Sequence, residues 1–142
     1  MIRKARAVWR GSGRSGNGDL SSDSGVLAKT PYSFRTRFEN EKGTNPEELL
    51  AAAHASCFSM AFSSGLSKLG HAPERLDVKA TCTFDKVGDQ WTVTTMELNV
   101  KGKVPGIAPA QFEEAAKAAS LGCPISRALK GNVNIRVVAS LA

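Results

Sequence analysis

Cysteine is scarce in this chain, with three among 142 residues. Cys57, Cys82 and Cys123 form no Cys-x-x-Cys pair, and so few thiols disfavour a scaffold built from structural disulfides. Tyrosine occurs once and tryptophan twice. The basic residues that give the net charge of +6 are therefore not interleaved with aromatic residues that could stack on nucleic-acid bases. We therefore expect no nucleic-acid partner.

Long apolar runs and clusters of metal ligands are also lacking. No unbroken apolar stretch approaches the roughly 18 residues that span a bilayer, and the N-terminal residues lack the apolar core of a secretory signal. We therefore expect a cytoplasmic chain with no membrane partner. His54 and Cys57 form a His-x-x-Cys pair, but no second pair completes a zinc site.

The remaining composition is that of an ordinary globular protein, with 42% hydrophobic and 23% charged residues. A chain of 142 residues can form one domain with a core but is short for two. Neither an internal repeat nor a linker interrupts it. These features predict a single domain over 1–142.

Hydrophobic periodicity and turn residues predict an α+β fold with a mostly antiparallel sheet. The Gly/Ser-rich segment 11–18 reads as a loop between two strands, and 21–25 as a further turn. Apolar and polar residues alternate over 32–38, which predicts a third strand. The later pattern predicts strands over 76–84 and 90–102 around a turn at 87–89, a helix over 109–121, a short helix from Pro124 to about Lys130, and a last strand over 133–141.

The clearest single element is a helix over 46–69. Asn45 is its expected N-cap, Pro46 suits the first helical position, and Glu48 lies where a capping-box acid belongs. Gly70 is placed to end the helix. The middle of the helix is hydrophobic on almost every side, so we expect it to be buried on most of its faces.

The three thiols differ in their expected chemistry. Cys82 lies on the apolar side of its strand and reads as a core residue. Cys57 lies among small residues in mid-helix, where it is either a core thiol or a reactive one that needs a cation from elsewhere in the fold. Arg35 and Arg37 are the nearest candidates in sequence. Cys123 precedes Pro124 at a helix start, so it is either a structural cap or a thiol whose pKa the helix end lowers.

Four stretches of the chain form a characteristic set: SGVL at 24–27, FEN-EKGTNPEELL-AAAHASCFSMA at 38–61, VPGI at 104–107 and GCPIS at 122–126. With their spacing they cover nearly the whole chain. This set resembles the OsmC/Ohr family of osmotically inducible and organic hydroperoxide resistance proteins. The His-Ala-Ser-Cys-Phe form and the Val-Pro-Gly-Ile segment are more similar to the OsmC branch.

The resemblance implies an intertwined homodimer in which mostly antiparallel sheets wrap around long central helices. By motif, Cys57 matches the peroxide-attacking cysteine and Cys123 the resolving cysteine. Glu47 matches the family glutamate and Arg37 the arginine that activates the thiol, with Arg35 as the alternative. Glu47 cannot reach Cys57 along its own helix, because ten residues rise by about 15 Å.

The implied chemistry is reduction of organic hydroperoxides, and more weakly of hydrogen peroxide. It proceeds through a Cys57 sulfenic acid and a Cys57–Cys123 disulfide. A dithiol, for this family a lipoylated protein, would restore the pair. No metal, haem or flavin is required. Two alternatives remain open: a non-enzymatic thiol sensor, and a structural or anion-binding domain with three buried thiols.

Overall fold

The computed structural model describes all residues of the chain, Met1–Ala142. The chain divides into two compact units, Met1–Leu49 and Leu50–Ala142. The single domain over 1–142 stays a prediction.

The first unit contains a three-stranded antiparallel sheet. Strands β1 (Ala5–Arg10), β2 (Asn17–Ser22) and β3 (Thr30–Ser33) lie in that order. A Gly/Ser-rich loop joins the first two, but it ends at residue 16 and not at 18 as predicted, because Asn17 and Gly18 pair with β1. Gly18 of β2 is buried because the rings of its neighbours cover it. A Cβ atom there would lie 2.5 Å from Tyr32 Cε1 and 2.8 Å from Trp9 Cε3.

The predicted strand over 32–38 is wrong beyond Ser33, where helix α1 (Phe34–Phe38) begins. The Ser33 hydroxyl accepts a hydrogen bond from the Thr36 N–H at 3.2 Å, and the Ser33 N–H donates to Thr36 Oγ1 at 3.0 Å. This reciprocal capping box satisfies backbone groups locally and starts a helix. Phe34 and Phe38, read as one face of a strand, instead contact each other across one helical turn at 4.6 Å between centroids.

Helix α2 (Pro46–Lys68) begins as the sequence predicts. Asn45 Oδ1 accepts a hydrogen bond from the Glu48 N–H at 2.8 Å, so Asn45 is the N-cap. The Glu48 carboxylate accepts a hydrogen bond from the Thr44 hydroxyl at 3.2 Å. In the expected capping box it would instead accept one from the backbone N–H of the N-cap residue. Gly70 follows the helix with a φ of 85°, as expected for a C-terminal glycine.

The expectation that α2 is buried on most sides is wrong. His54, Phe58, Phe62 and Leu66 follow one another at four-residue spacing and are fully buried. Much of the remaining surface is accessible, and Met60 is 75% exposed. Because most residues between these four are Ala and Ser, the sequence pattern could not distinguish a helix with one buried stripe from a fully buried one.

Helix α2 is also long and apolar enough to cross a membrane, judged by length and composition alone. The mean hydropathy of an 18-residue window is 1.3, and 22% of that window is buried. The sequence analysis, which considered only unbroken apolar runs, did not expect a segment of this length and composition. A single helix of this kind is weak evidence for a membrane span, because core helices of soluble proteins have the same length and composition.

The second unit joins a three-stranded sheet to two helices after α2. The strands are β4 (Arg75–Val87), β5 (Gln90–Lys103) and β6 (Asn134–Leu141), with β5 in the middle. β4 and β5 form the predicted antiparallel hairpin, whereas β6 pairs with β5 in parallel. Helices α3 (Pro109–Gly122) and α4 (Pro124–Leu129) supply the crossover that a parallel connection needs. The α+β class is confirmed.

The core of this unit lies between the sheet and its helices. Aromatic rings of α2 and α3 meet there, with 5.0 Å between the centroids of Phe62 and Phe112. Three consecutive inward-facing residues of β5 are fully buried against them, namely Met96, Leu98 and Val100. Cys123 is part of the same buried cluster.

Candidate active site

Two of the three thiols lie side by side, although 66 residues separate them in sequence. Cys57 Sγ, in α2, and Cys123 Sγ, between α3 and α4, are 3.2 Å apart and share a hydrogen bond. No disulfide joins the two cysteines, since a disulfide has a sulfur–sulfur distance of about 2.05 Å. A shift of little more than 1 Å by the two sulfurs would allow that bond to form.

Helix ends fix the position of Cys123. Gly122 ends α3, and Cys123 is at once the C-cap of α3 and the N-cap of α4, which Pro124 begins. The Cys123 N–H donates to the Ala119 carbonyl at 2.9 Å. This arrangement holds the Cys123 side chain inward, where it has 0% exposure, while Cys57 is only partly buried.

The surroundings of the two thiols shift their pKa values in opposite directions. Burial raises the pKa of the Cys57 thiol, and the neighbouring Cys123 raises it further. A hydrogen bond with the Ile125 backbone offsets part of this increase. Burial by itself also raises the pKa of Cys123. The Ser126 and Ile125 N–H groups, the Ser126 hydroxyl and Cys57 outweigh burial, so the Cys123 pKa lies below its ordinary value. The Cys123 side chain makes no capping hydrogen bond to α4.

The third thiol lies apart from this pair on strand β4. Cys82 is opposite Met96 in the β4–β5 ladder and packs, partly buried, against the hydrophobic core. This placement agrees with its interpretation as a core residue.

The first unit contains the other two predicted site residues, and they form an ion pair. Arg37 Nη2 lies 2.7 Å from Glu47 Oε1, and Arg37 Nε donates to both carboxylate oxygens at 3.1 and 3.2 Å. Glu47 is only 8% exposed. The Arg37 guanidinium also lies over the Phe38 ring at 5.5 Å from its centroid. A planar guanidinium held on two oxygens and one ring face has a defined orientation.

Arg35, the alternative arginine, has different partners. Its Nε lies 3.5 Å from Glu39 Oε2 and 3.4 Å from Glu41 Oε2, and its side chain is mostly exposed. Exposed pairs of this kind fix a side chain weakly. Arg35 is thus less firmly held than Arg37, which pairs with the buried carboxylate of Glu47.

A buried histidine next to the thiols was missed as a functional residue by the sequence reasoning, which considered it only as a possible metal ligand. His54 Nε2 lies 2.7 Å from Ser126 Oγ, and burial lowers the pKa of His54. The structure has no group of three or more His, Cys, Asp or Glu side chains placed to hold a metal ion. The sequence carries only a partial signal: His54 precedes Cys57 by three residues and Ser126 follows Cys123 by three, but this spacing does not show that the two side chains meet.

Comparison with known proteins places this architecture in a family. A family model described as OsmC-like protein matches residues 39–138. This chain belongs to the OsmC family. It is 44% identical to "Peroxiredoxin OsmC" of Escherichia coli (strain K12), over 94% of this chain and 93% of that protein. It is 34% identical to "Organic hydroperoxide resistance protein OhrA" of Bacillus subtilis (strain 168), over 67% and 66%.

Solved structures of the OsmC and Ohr types share the fold. The crystal structure of OhrB from Bacillus subtilis has a TM-score of 0.77 at 24% identity, covering 96% of this chain and 98% of that one. A Legionella pneumophila OsmC protein has a TM-score of 0.78 at 21% identity, with coverages of 99% and 98%. The predicted resemblance is confirmed, with higher identity on the OsmC side, and so is a peroxidase-type role at the level of the family.

Proposed function

We propose that this OsmC family member is a thiol-dependent peroxidase that reduces organic hydroperoxides, and more weakly hydrogen peroxide, through Cys57 and Cys123. One observation carries the proposal: the two sulfurs lie 3.2 Å apart in the reduced protein. A sulfenic acid on one of them would meet the other thiol without a large movement of the chain. The names of relatives on both branches support a hydroperoxide as the oxidant.

The accessibility of the two thiols supports Cys57 as the residue that reacts first. A hydroperoxide must approach the attacking sulfur from solvent, and Cys123 has 0% exposure whereas Cys57 is only partly buried. The lowered pKa of Cys123 would favour the opposite assignment if ionisation alone decided. An inaccessible thiolate cannot attack an external substrate, so Cys57 is the attacking thiol and Cys123 the resolving one.

Cys57 then needs a positive charge, because burial raises its pKa and the thiolate is the nucleophile. We assign this charge to Arg37, supported by the motif match and by its oriented guanidinium. Glu47 acts as a positioning residue, since its buried carboxylate holds Arg37 through three hydrogen bonds. Arg35, held only by exposed partners, is the weaker candidate.

The reaction balances without a cofactor. The Cys57 thiolate attacks the terminal peroxide oxygen, a sulfur–oxygen bond forms, and the oxygen–oxygen bond breaks with release of an alkoxide that takes a proton to become the alcohol. The Cys123 thiolate next attacks the sulfenic sulfur, the disulfide forms, and hydroxide leaves as water. An external dithiol, which we expect to be carried by a lipoylated protein, reduces the disulfide by exchange.

The exposed side of α2 supports assembly into a homodimer. Met60 of α2 is 75% exposed, and Leu69, the residue after the helix, is 53% exposed. A partner subunit that covered these apolar side chains would remove them from water. A cytoplasmic location stays an expectation.

A disulfide map tests the proposed pairing of the thiols. One equivalent of cumene hydroperoxide should produce a Cys57–Cys123 bond within one chain, because the reduced sulfurs are already adjacent in one protomer. Non-reducing electrophoresis followed by peptide mapping would locate the bond, and Cys123→Ser should leave a Cys57 sulfenic acid that a dimedone probe traps. A covalent dimer as the main product, or a bond that includes Cys82, would contradict the pairing.

A further inference from the structure

The last part of the chain carries positive charge with no acidic side chain to balance it. From Ala115 to Ala142 the sequence contains no Asp or Glu. Its cationic side chains are those of Lys117, Arg127, Lys130 and Arg136, and none of them takes part in a salt bridge in the structure. A region of uncompensated positive charge attracts anions.

Two of these cations line a cavity of about 410 Å³. Arg127 on α4 and Lys130 at its C-cap form one side, and the end of α3 and the residues around the start of β6 form the others. No acidic residue lines this cavity, and neither do the other two cations, Lys117 and Arg136. Its volume lies within the range of roughly 300–1,000 Å³ that is typical of small-molecule sites.

The rest of the lining combines hydroxyl groups with apolar side chains. Ser120 and Ser126 line the cavity and are buried. Val133 and Ile135 are half-buried in its wall, and Leu121 contributes an apolar side chain that is 75% exposed. Cations and hydroxyl groups suit an oxyanion, whereas the apolar wall suits hydrocarbon.

A buried histidine determines which atom the Ser126 hydroxyl can offer. His54 Nε2 lies 2.7 Å from Ser126 Oγ, and His54 Nδ1 is buried without a hydrogen-bond partner. A neutral imidazole has one N–H and one bare nitrogen, and buried N–H groups without a partner are rarer than unsatisfied acceptors. The proton therefore belongs on Nε2, which donates to Ser126 Oγ. The hydroxyl proton of Ser126 stays available for an acceptor.

We propose that this cavity binds a small amphipathic oxyanion, in which a carboxylate or a phosphate ester is attached to a short hydrocarbon chain. The guanidinium of Arg127 and the ammonium of Lys130 neutralise the head group, and the apolar lining covers the chain. Neither Cys57 nor Cys123 lines the cavity, so the binding site is distinct from the thiol pair. The proposal does not depend on the peroxidase reaction.

The first test titrates sodium octanoate into the reduced full chain, without peroxide, and follows the amide NMR signals of Gly131 and Val133. We expect saturable shifts at these positions and one octanoate bound per chain by calorimetry. Acetate should bind at least about tenfold more weakly, because burial of two methylene groups already accounts for a factor of this size. Octyl phosphate is the second ligand. Whichever of the two octyl ligands binds more tightly identifies the head group.

The second test removes the cations one at a time. Arg127→Gln and Lys130→Gln should each weaken octanoate binding by about three- to fivefold, the modest effect expected of exposed charges. Lys117→Gln and Arg136→Gln are matched controls, because they remove the same charge from the same part of the chain but outside the cavity. They should change the affinity by less than about twofold in about 0.15 M salt. All four side chains are exposed, and circular dichroism establishes that each variant is folded.

Three results would overturn the proposal. The first is a titration without saturable shifts at Gly131 and Val133, including one whose shifts are confined to residues around Cys57. The second is equal affinity for acetate and octanoate. The third is equal weakening by the cavity variants and the control variants, which would indicate general attraction to a basic surface. Peroxide reduction is not measured in either test, so these results are independent of the proposed function.

Discussion

Cys57→Ser is expected to abolish peroxide reduction, whereas Cys82→Ser should retain activity within about twofold of the wild type. Replacing the attacking thiol removes covalent catalysis altogether, and loss of a nucleophile commonly lowers turnover by more than about 10³-fold. Cys82 faces the core from β4 and takes no part in the proposed steps. Its replacement by the smaller, polar Ser affects stability rather than chemistry.

The comparison needs both variants in the same assay. Consumption of cumene hydroperoxide with excess dithiol gives the rates, and far-ultraviolet circular dichroism establishes that each variant is folded. A folded Cys82→Ser variant as inactive as Cys57→Ser would contradict the assignment of the thiols. A folded Cys57→Ser variant with full activity would contradict the proposed function itself.

Arg37→Met is expected to slow the oxidation of Cys57 at neutral pH and to change its pH profile. Burial already raises the pKa of Cys57, so removal of the proposed cation should raise it further. Each added unit leaves about tenfold less thiolate below the pKa. Part of the rate should return at higher pH, where the thiol ionises without assistance. Recovery should be incomplete, because a guanidinium can also stabilise charge on the leaving oxygen.

Single-turnover oxidation of Cys57 at a series of pH values measures this effect, with Arg35→Met as the matched control. Glu47→Gln should produce a milder version of the same profile, since it loosens the arginine without removing its charge. A wild-type profile in Arg37→Met together with a defect in Arg35→Met would transfer the role to Arg35. Wild-type profiles in both variants would remove the arginine from the mechanism.

Local signals predicted much of the fold. Asn45, Pro46 and Gly70 defined the limits of α2 because caps and helix stops depend on adjacent residues. The strand over 32–38 failed for a related reason: phenylalanines at 34 and 38 satisfy both an alternating pattern and a helical one. The Ser33–Thr36 capping box decided for the helix. The parallel pairing of β6 depends on the crossover and has no local signal.

The candidate site was predictable only in part. The sequence motifs predicted Cys57, Cys123, Arg37 and Glu47 as site residues, and in the structure these residues form two separate pairs, Cys57–Cys123 and Arg37–Glu47. Neither pair is implied by spacing, because a separation of 66 residues between thiols says nothing about distance. The contact of His54 with Ser126 was missed for the same reason, since only packing of α2 against α4 creates it. The roles of Cys57, Cys123, Arg37 and Glu47 are proposals that the variants above test.

The most direct test of the central claim is a multiple-turnover assay. Wild-type protein is mixed with a large molar excess of cumene hydroperoxide and dihydrolipoamide, and peroxide consumption is followed to completion. A peroxidase should consume many equivalents per Cys57, with the Cys57–Cys123 disulfide formed and reduced in each cycle. Consumption that ends at one equivalent, with the disulfide persisting in the presence of the dithiol, would identify a thiol sensor and contradict the proposed function.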